Sequence, residues 1–290
     1  MAGMSDDEVR SVPLDDDEAA PEVIDGIRSL HGRIDELHRL VAQRLDAEGV
    51  QAGAWLHEHA GVVHRPSLPA WRRKTQGELR WPVAITTALA IGLQVAVPDK
   101  LVLVRPSWIL PVVQGALLVI LIMANPHRID RQSTTMRTLS LILSGLLTLA
   151  NVWSVARLAI GITQGNIGRN PGQLLITGGV IWLTNVIVFA LWYWEWDRGG
   201  PVARALNLGN RYPDFQFPQM VSPPEMVPPN WEPTFLDYLY LAFTNASAFS
   251  PTDTMPMSRW AKVAMTVQSI ISIVTVALVV SRAVNILPTA

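Results

Sequence analysis

Residues 235–256 read FLDYLYLAFTNASAFSPTDTMP, and the character of the whole chain turns on this stretch. Its first half is apolar enough to enter a bilayer, yet shorter than the ~20 residues a helix needs to cross one. It then breaks in a polar turn, Ser250-Pro251-Thr252-Asp253. One long apolar segment, 172–194, precedes it and another, 263–280, follows. Spanning helix, half-helix, polar turn and spanning helix together predict a re-entrant segment. Such a segment carries backbone carbonyls and hydroxyls to membrane depth, where they must line water or protein rather than lipid.

Three more segments lack charge over a comparable length: 82–97, 108–124 and 139–160. The first two lie near the lower limit for a span. The third carries Arg157 near its end, where a long side chain can snorkel to the headgroups. The expected fold is therefore all-α and polytopic, with five transmembrane helices plus one re-entrant pore-type half-helix. Composition agrees, with 49% hydrophobic and 16% charged residues and most of the acids confined to the first 80 positions. The organisation reads as spans one to four over 81–197, a Pro-rich loop over 198–234, the pore-like segment over 235–258 and the last span over 259–290.

The front end reads as soluble. Residues 1–20 form an acidic tail with few large apolar side chains, which predicts disorder. Residues 21–80 form a cytoplasmic helical, coiled-coil-like segment and a connector. Val23, Ile27, Leu30, Ile34, Leu37 and Val41 alternate by four and three residues and so share one seam. Self-association and packing onto the chain's own membrane part both suit that seam. His57 and His59 flank Glu58, with His64 nearby, but without further ligands at metal spacing they read as surface histidines. The chain has no cysteine, which removes disulfide and thiol chemistry. No basic, apolar leader opens it, and a net charge of −1 argues against nucleic acid.

The loop after the fourth span opens Arg198-Gly-Gly-Pro and holds seven further prolines between Pro213 and Pro233, which forbids a continuous helix. Just before it, Trp192-Tyr193-Trp194-Glu195-Trp196-Asp197 reads as an aromatic belt at the membrane surface. On the last helix, Gln268, Ser272, Thr275 and Arg282 fall in an ~80° stripe that Val279 interrupts. Pore lining and helix-to-helix adhesion both account for it.

The residues from Phe235 to Thr244 resemble the pore helix of potassium-channel-like proteins, with Asp237 at its start. The resemblance puts 248–253 at the selectivity filter, and Pro256 and Ser258 ahead of the inner helix. In layout the chain is more similar to an uncharacterised bacterial multipass membrane family of the DUF1345 type, in which four helices precede such a segment and the last helix ends near Asn-Ile, here Asn285-Ile286. What the resemblance implies is a channel-like integral protein conducting small cations through an oligomeric pore, a tetramer by analogy. The filter is non-standard, because Ser250 and Thr252 stand where glycines would turn carbonyls toward the ion, with Pro251 between them. The filter-like set is thus Thr244, Ser247, Ser250, Pro251, Thr252 and Asp253. The alternative is a non-conducting scaffold or sensor that retains a degenerate pore module. No enzyme, cofactor or metal site is expected.

Basic residues before span one (Arg72, Arg73, Lys74, Arg80) and between spans two and three (Arg128, Arg131, Arg137) outnumber those on the other side (Lys100, Arg105, Arg169). That bias places the protein in the plasma membrane with its N-terminus cytoplasmic. It also makes the half-helix enter from the cytoplasm, opposite to a potassium channel. An inverted pore resolves the conflict, as does one apolar segment that fails to span.

Overall fold

The structure is a computed structural model that describes residues 69–129, 133–167, 170–210, 212–247 and 253–286, together with helical positions inside 29–43. The acidic tail, the three connector histidines and filter-like Ser250, Pro251 and Thr252 lie outside the described residues. The chain divides into two units, Met1–Ser67 and Leu68–Ala290. In the first, Leu30, Ile34 and Leu37 are helical and exposed, so part of the seam is visible as an uncovered apolar edge.

The second unit is mostly helical. Its helices are α1 (Trp81–Val95), α2 (Ile109–Ala124), α3 (Thr134–Thr163), α4 (Pro171–Trp196), α5 (Pro201–Ala205), α6 (Phe235–Ser247) and α7 (Arg259–Asn285), with a two-stranded ribbon of β1 (Phe215–Gln216) and β2 (Met255–Pro256). Local chemistry sets the ends. Ser133, Asn170 and Ser258 each accept a backbone N–H of the first turn of α3, α4 and α7, and proline opens α4 and α5. Helix α4 stops where Arg198, Gly199 and Gly200 take φ values of 52°, 88° and 100°, a left-handed run that no helix tolerates.

Three helices, α3, α4 and α7, are long and apolar enough to cross a membrane. Helices α1 and α2 have 15 and 16 residues, or ~23 Å each at 1.5 Å per residue. The loop joining them rests against α3, where Trp153 and Ser154 donate to the carbonyls of Val102 and Leu101. At the other end of this pair, Leu79 bridges to Arg128. The five long elements therefore run alternately between two ends. A loop-rich end gathers residues 70–80, 125–129, 133, 197–210, 212–234 and 253–258, and the opposite end holds 96–108 and 164–167.

Helix α4 is the central post, buried without a break from Thr184 to Leu191. It crosses α7 closely, since a Cβ on Gly178 would lie 2.7 Å from the Val279 side chain. Small residues at such crossings let two backbones approach. Helix α6 runs back along α4. The Phe235 ring lies 5.9 Å from Trp194 at the loop-rich end, and the Phe243 ring lies 5.8 Å from Trp182, halfway down α4. The Trp260 ring is 5.3 Å from Trp196, so α7 starts at the end where α6 began. Helix α6 thus starts beside the close of α4 and ends beside its middle.

Candidate functional site

Two polar clusters hold the descending helix, one at its mouth and one at its inner end. The mouth is built around Arg204 of α5. Its Nη2 donates to Glu78 Oε1 at 3.1 Å, and its Nη1 donates to the carbonyls of Trp194 and Asp197 at 2.6 and 3.0 Å. Its guanidinium lies 5.0 Å from the Tyr238 ring centre. The other oxygen of Glu78 accepts from Trp194 Nε1 at 2.9 Å and from the backbone N–H of Phe235 at 3.0 Å. A carboxylate is thereby seated on the free N–H groups that open α6, where the helix dipole favours negative charge. Both side chains of the ion pair are at least nine-tenths buried. Burial lifts the Glu78 carboxyl above the ordinary glutamate range, with Arg204 and the two N–H donors pulling the other way. Burial likewise acts to lower the Arg204 guanidinium, but Tyr238, Glu78 and Asp197 around it prevail and hold it above the usual arginine value.

A second carboxylate continues the cluster. Asp197 accepts from the Tyr238 hydroxyl at 2.6 Å and from the Asp214 N–H at 2.8 Å. Asp214 in turn accepts from the Arg198 N–H at 2.9 Å and from Trp260 Nε1 at 2.8 Å. Arg198 itself is 1% exposed and donates to the carbonyls of Trp71 and Asn210 and to Asn207. The stretch from Arg198 onward, read from sequence as a Pro-rich loop, is therefore clamped at both margins. Its prolines begin short 3₁₀ turns at Pro218–Met220 and Pro224–Met226 and a helical turn at Pro201–Ala205.

The inner end is tied by amides. Gln268 Oε1 accepts from the Tyr193 hydroxyl and from Asn245 Nδ2, both at 2.7 Å, while its Nε2 donates to the Ala242 carbonyl at 2.8 Å. Asn245 also donates to the Met265 carbonyl, and Asn185 donates to Ser272 at 3.1 Å. Three helices meet on this network, and the side chains of Gln268, Ser272, Asn185, Tyr193 and Asn245 are all buried.

The residues singled out in the sequence fall in three groups. Gln268, Ser272 and Thr275 are 0%, 0% and 4% exposed and form the seam of α7 that faces α4 and α6. Thr275 donates to Ile271 within its own helix, and Arg282 is half-buried near the opposite end. Thr244 and Ser247 donate to carbonyls of α6 itself, at Tyr240, Leu241 and Phe243. Asp253 is exposed beyond the half-helix. Asp237 accepts from the N–H and hydroxyl of Thr234 at 2.7 and 2.9 Å, which supplies the carboxylate half of a capping box at the helix start. Asp237→Ala is expected to cost about 1 kcal/mol of stability, measured by denaturant unfolding in detergent, with no other change.

Glu78, Asp197, Arg198, Arg204, Asp214, Tyr193, Asn185 and Asn245 did not stand out in the sequence as site residues. Glu195 and Asp197 read there as surface groups of an aromatic belt, whereas they are 3% and 0% exposed. One signal was present: four charged residues, Glu195, Asp197, Arg198 and Arg204, cluster at the end of an otherwise uncharged helix. Among the described residues no three His, Cys, Asp or Glu side chains gather to hold a metal ion. Comparison with protein families, with curated proteins and with solved structures finds no match for this chain.

Proposed function

We propose that this chain is a five-pass integral membrane protein with one re-entrant half-helix, and that it works as a non-conducting membrane scaffold or sensor. The observation that carries this reading is the inward turn of the α7 polar seam. Gln268 and Ser272 bond to α4 and α6 of the same chain, so the groups expected to line a shared pore are consumed in packing one protomer. Five passes follow if α1 and α2, short as helices, complete their crossing with their flanking turns. The loop-rich end carries Arg72, Arg73, Lys74, Arg80, Arg128, Arg137, Arg198, Arg204 and Arg259. Positive residues favour the cytoplasm, which puts the N-terminus and the mouth of the half-helix on that side of the plasma membrane.

One observation favours the channel-like reading instead. Leu236, Tyr240, Phe243 and Ser247 form an exposed stripe on α6, and Asp253 is exposed after it. Several copies, four by the channel analogy, would bring that stripe to a common axis and line a path for a small cation. The two readings separate in liposomes containing the purified protein and a potassium- or sodium-sensitive dye. Flux equal to that of protein-free liposomes, across voltage and pH, is the expected result. Flux that Asp253→Ala abolishes would establish the channel and overturn the scaffold.

A further inference from the structure

A cavity of about 180 Å³ lies at the loop-rich end, between the close of α2, the first turns of α3, the close of α4 and the Gly199–Val202 chain. Its wall is divided in character. Leu121 and Ile129 give it an apolar side, while Arg80, Arg137, Ser140 and Glu195 give it a charged one. Glu195 is 3% exposed, and its Oε1 accepts a hydrogen bond from the Ser140 hydroxyl. The charges of Arg204, Arg137 and Arg80 all act on this carboxylate, the last two from the cavity wall. Even so, neither guanidinium makes an ion pair or side-chain hydrogen bond with any described residue. Two cations and one anion therefore surround a single space without closing on one another.

A carboxylate in such a place is costly unless a cation meets it. A guanidinium presents five donors in a fork that matches phosphate oxygens. The space exceeds the ~10–15 Å³ that a single water requires, and it takes a group the size of a lipid headgroup. We propose that this cavity binds the headgroup of an amine-bearing phospholipid, with the phosphate between Arg80 and Arg137, the ammonium on Glu195 and the glycerol end against Leu121 and Ile129. The first turn of α3, opening on the same cavity through Ser133 and Thr134, adds the positive end of a 30-residue helix on the phosphate side. This assignment rests on the proposed membrane reading, which puts the loop-rich end at headgroup level.

The test is native mass spectrometry of delipidated protein in mild detergent, titrated with phosphatidylethanolamine, with phosphatidylglycerol and with soluble glycerophosphoethanolamine. Phosphatidylethanolamine is expected to bind about tenfold more tightly than phosphatidylglycerol, because only the first meets the carboxylate. Glu195→Gln should erase that preference, and Arg137→Gln should weaken both lipids by about tenfold. Arg137 is exposed, so its variant reports on binding even if the Glu195 variant folds poorly. Equal binding of the two lipids by the unaltered protein, or full binding by the Arg137 variant, would overturn the proposal. Competition by glycerophosphoethanolamine at lipid concentrations would overturn the lipid as the source in favour of a free phosphoamine. A protein that needs detergent to leave the membrane but ignores both lipids keeps the membrane reading and loses this one; a protein soluble without detergent loses the membrane reading itself.

Discussion

Arg204→Met is expected to destabilise the protein by about 3–5 kcal/mol, the range found when one partner of a buried ion pair is removed. The methionine fills a similar volume, so the loss is electrostatic rather than a packing defect. Glu78, whose side chain is 8% exposed, would lose its one charged hydrogen-bond partner among the described residues while remaining seated on the first N–H of α6. Asp197 would lose a neighbouring cation that now offsets its burial, and the carbonyls of Trp194 and Asp197 would lose a donor each. The measurement is equilibrium unfolding in mixed micelles, followed by tryptophan fluorescence. The double variant Arg204→Met with Glu78→Gln should be less damaged than the sum of the singles, because the second change removes the stranded charge. Additive losses would mean that the two side chains do not act as a pair.

Gln268→Leu carries the second large effect, about 3–5 kcal/mol. Hydrogen bonds between membrane helices average ~0.6 kcal/mol each, and Gln268 makes three across helix boundaries. The remainder comes from the Tyr193 hydroxyl, which is 0% exposed and would be left without its acceptor; stranding such a group costs ~1–3 kcal/mol. Tyr193→Phe in the same background should recover part of the loss. The pair also bears on function. If the α7 seam only joins helices, thermal stability falls and liposome flux stays at the protein-free level. A leak that appears in Gln268→Leu alone would say that the seam closes a path.

Much of the helical layout was readable because it follows from local chemistry. Apolar runs at 82–97 and 108–124 became α1 at Trp81–Val95 and α2 at Ile109–Ala124, and the segment too short to span became the 13-residue α6. Asp237 was placed at its start by the pore-helix resemblance alone, and in the structure it caps the first turn through Thr234. Gln268, Ser272 and Thr275 of α7 lie buried on one side, while Arg282 of the same stripe is half-buried. What that face meets was not readable, because periodicity says which residues share a side and nothing about the neighbour. The mouth cluster escaped for a related reason. Glu78 and Arg204 stand 126 positions apart, and neither sits in a pattern that marks it as buried. Only the folding of residues 70–80 against the close of α4 creates their low-dielectric setting. Asn245 sits in no pattern that marks it as buried, yet it anchors the inner end of α6 through an amide on another helix.

The entry and exit of the half-helix are fastened independently. Glu78 and the Thr234–Asp237 box hold the entry, while pairing of Met255–Pro256 with Phe215–Gln216 holds the exit. A segment moored at both banks cannot swing out like a gate. The far end of α6 is held instead by the bond between Asn245 and Gln268. A stimulus arriving at the Pro-rich strap would be absorbed there, whereas one arriving from within the helix bundle has a direct lever on the tip.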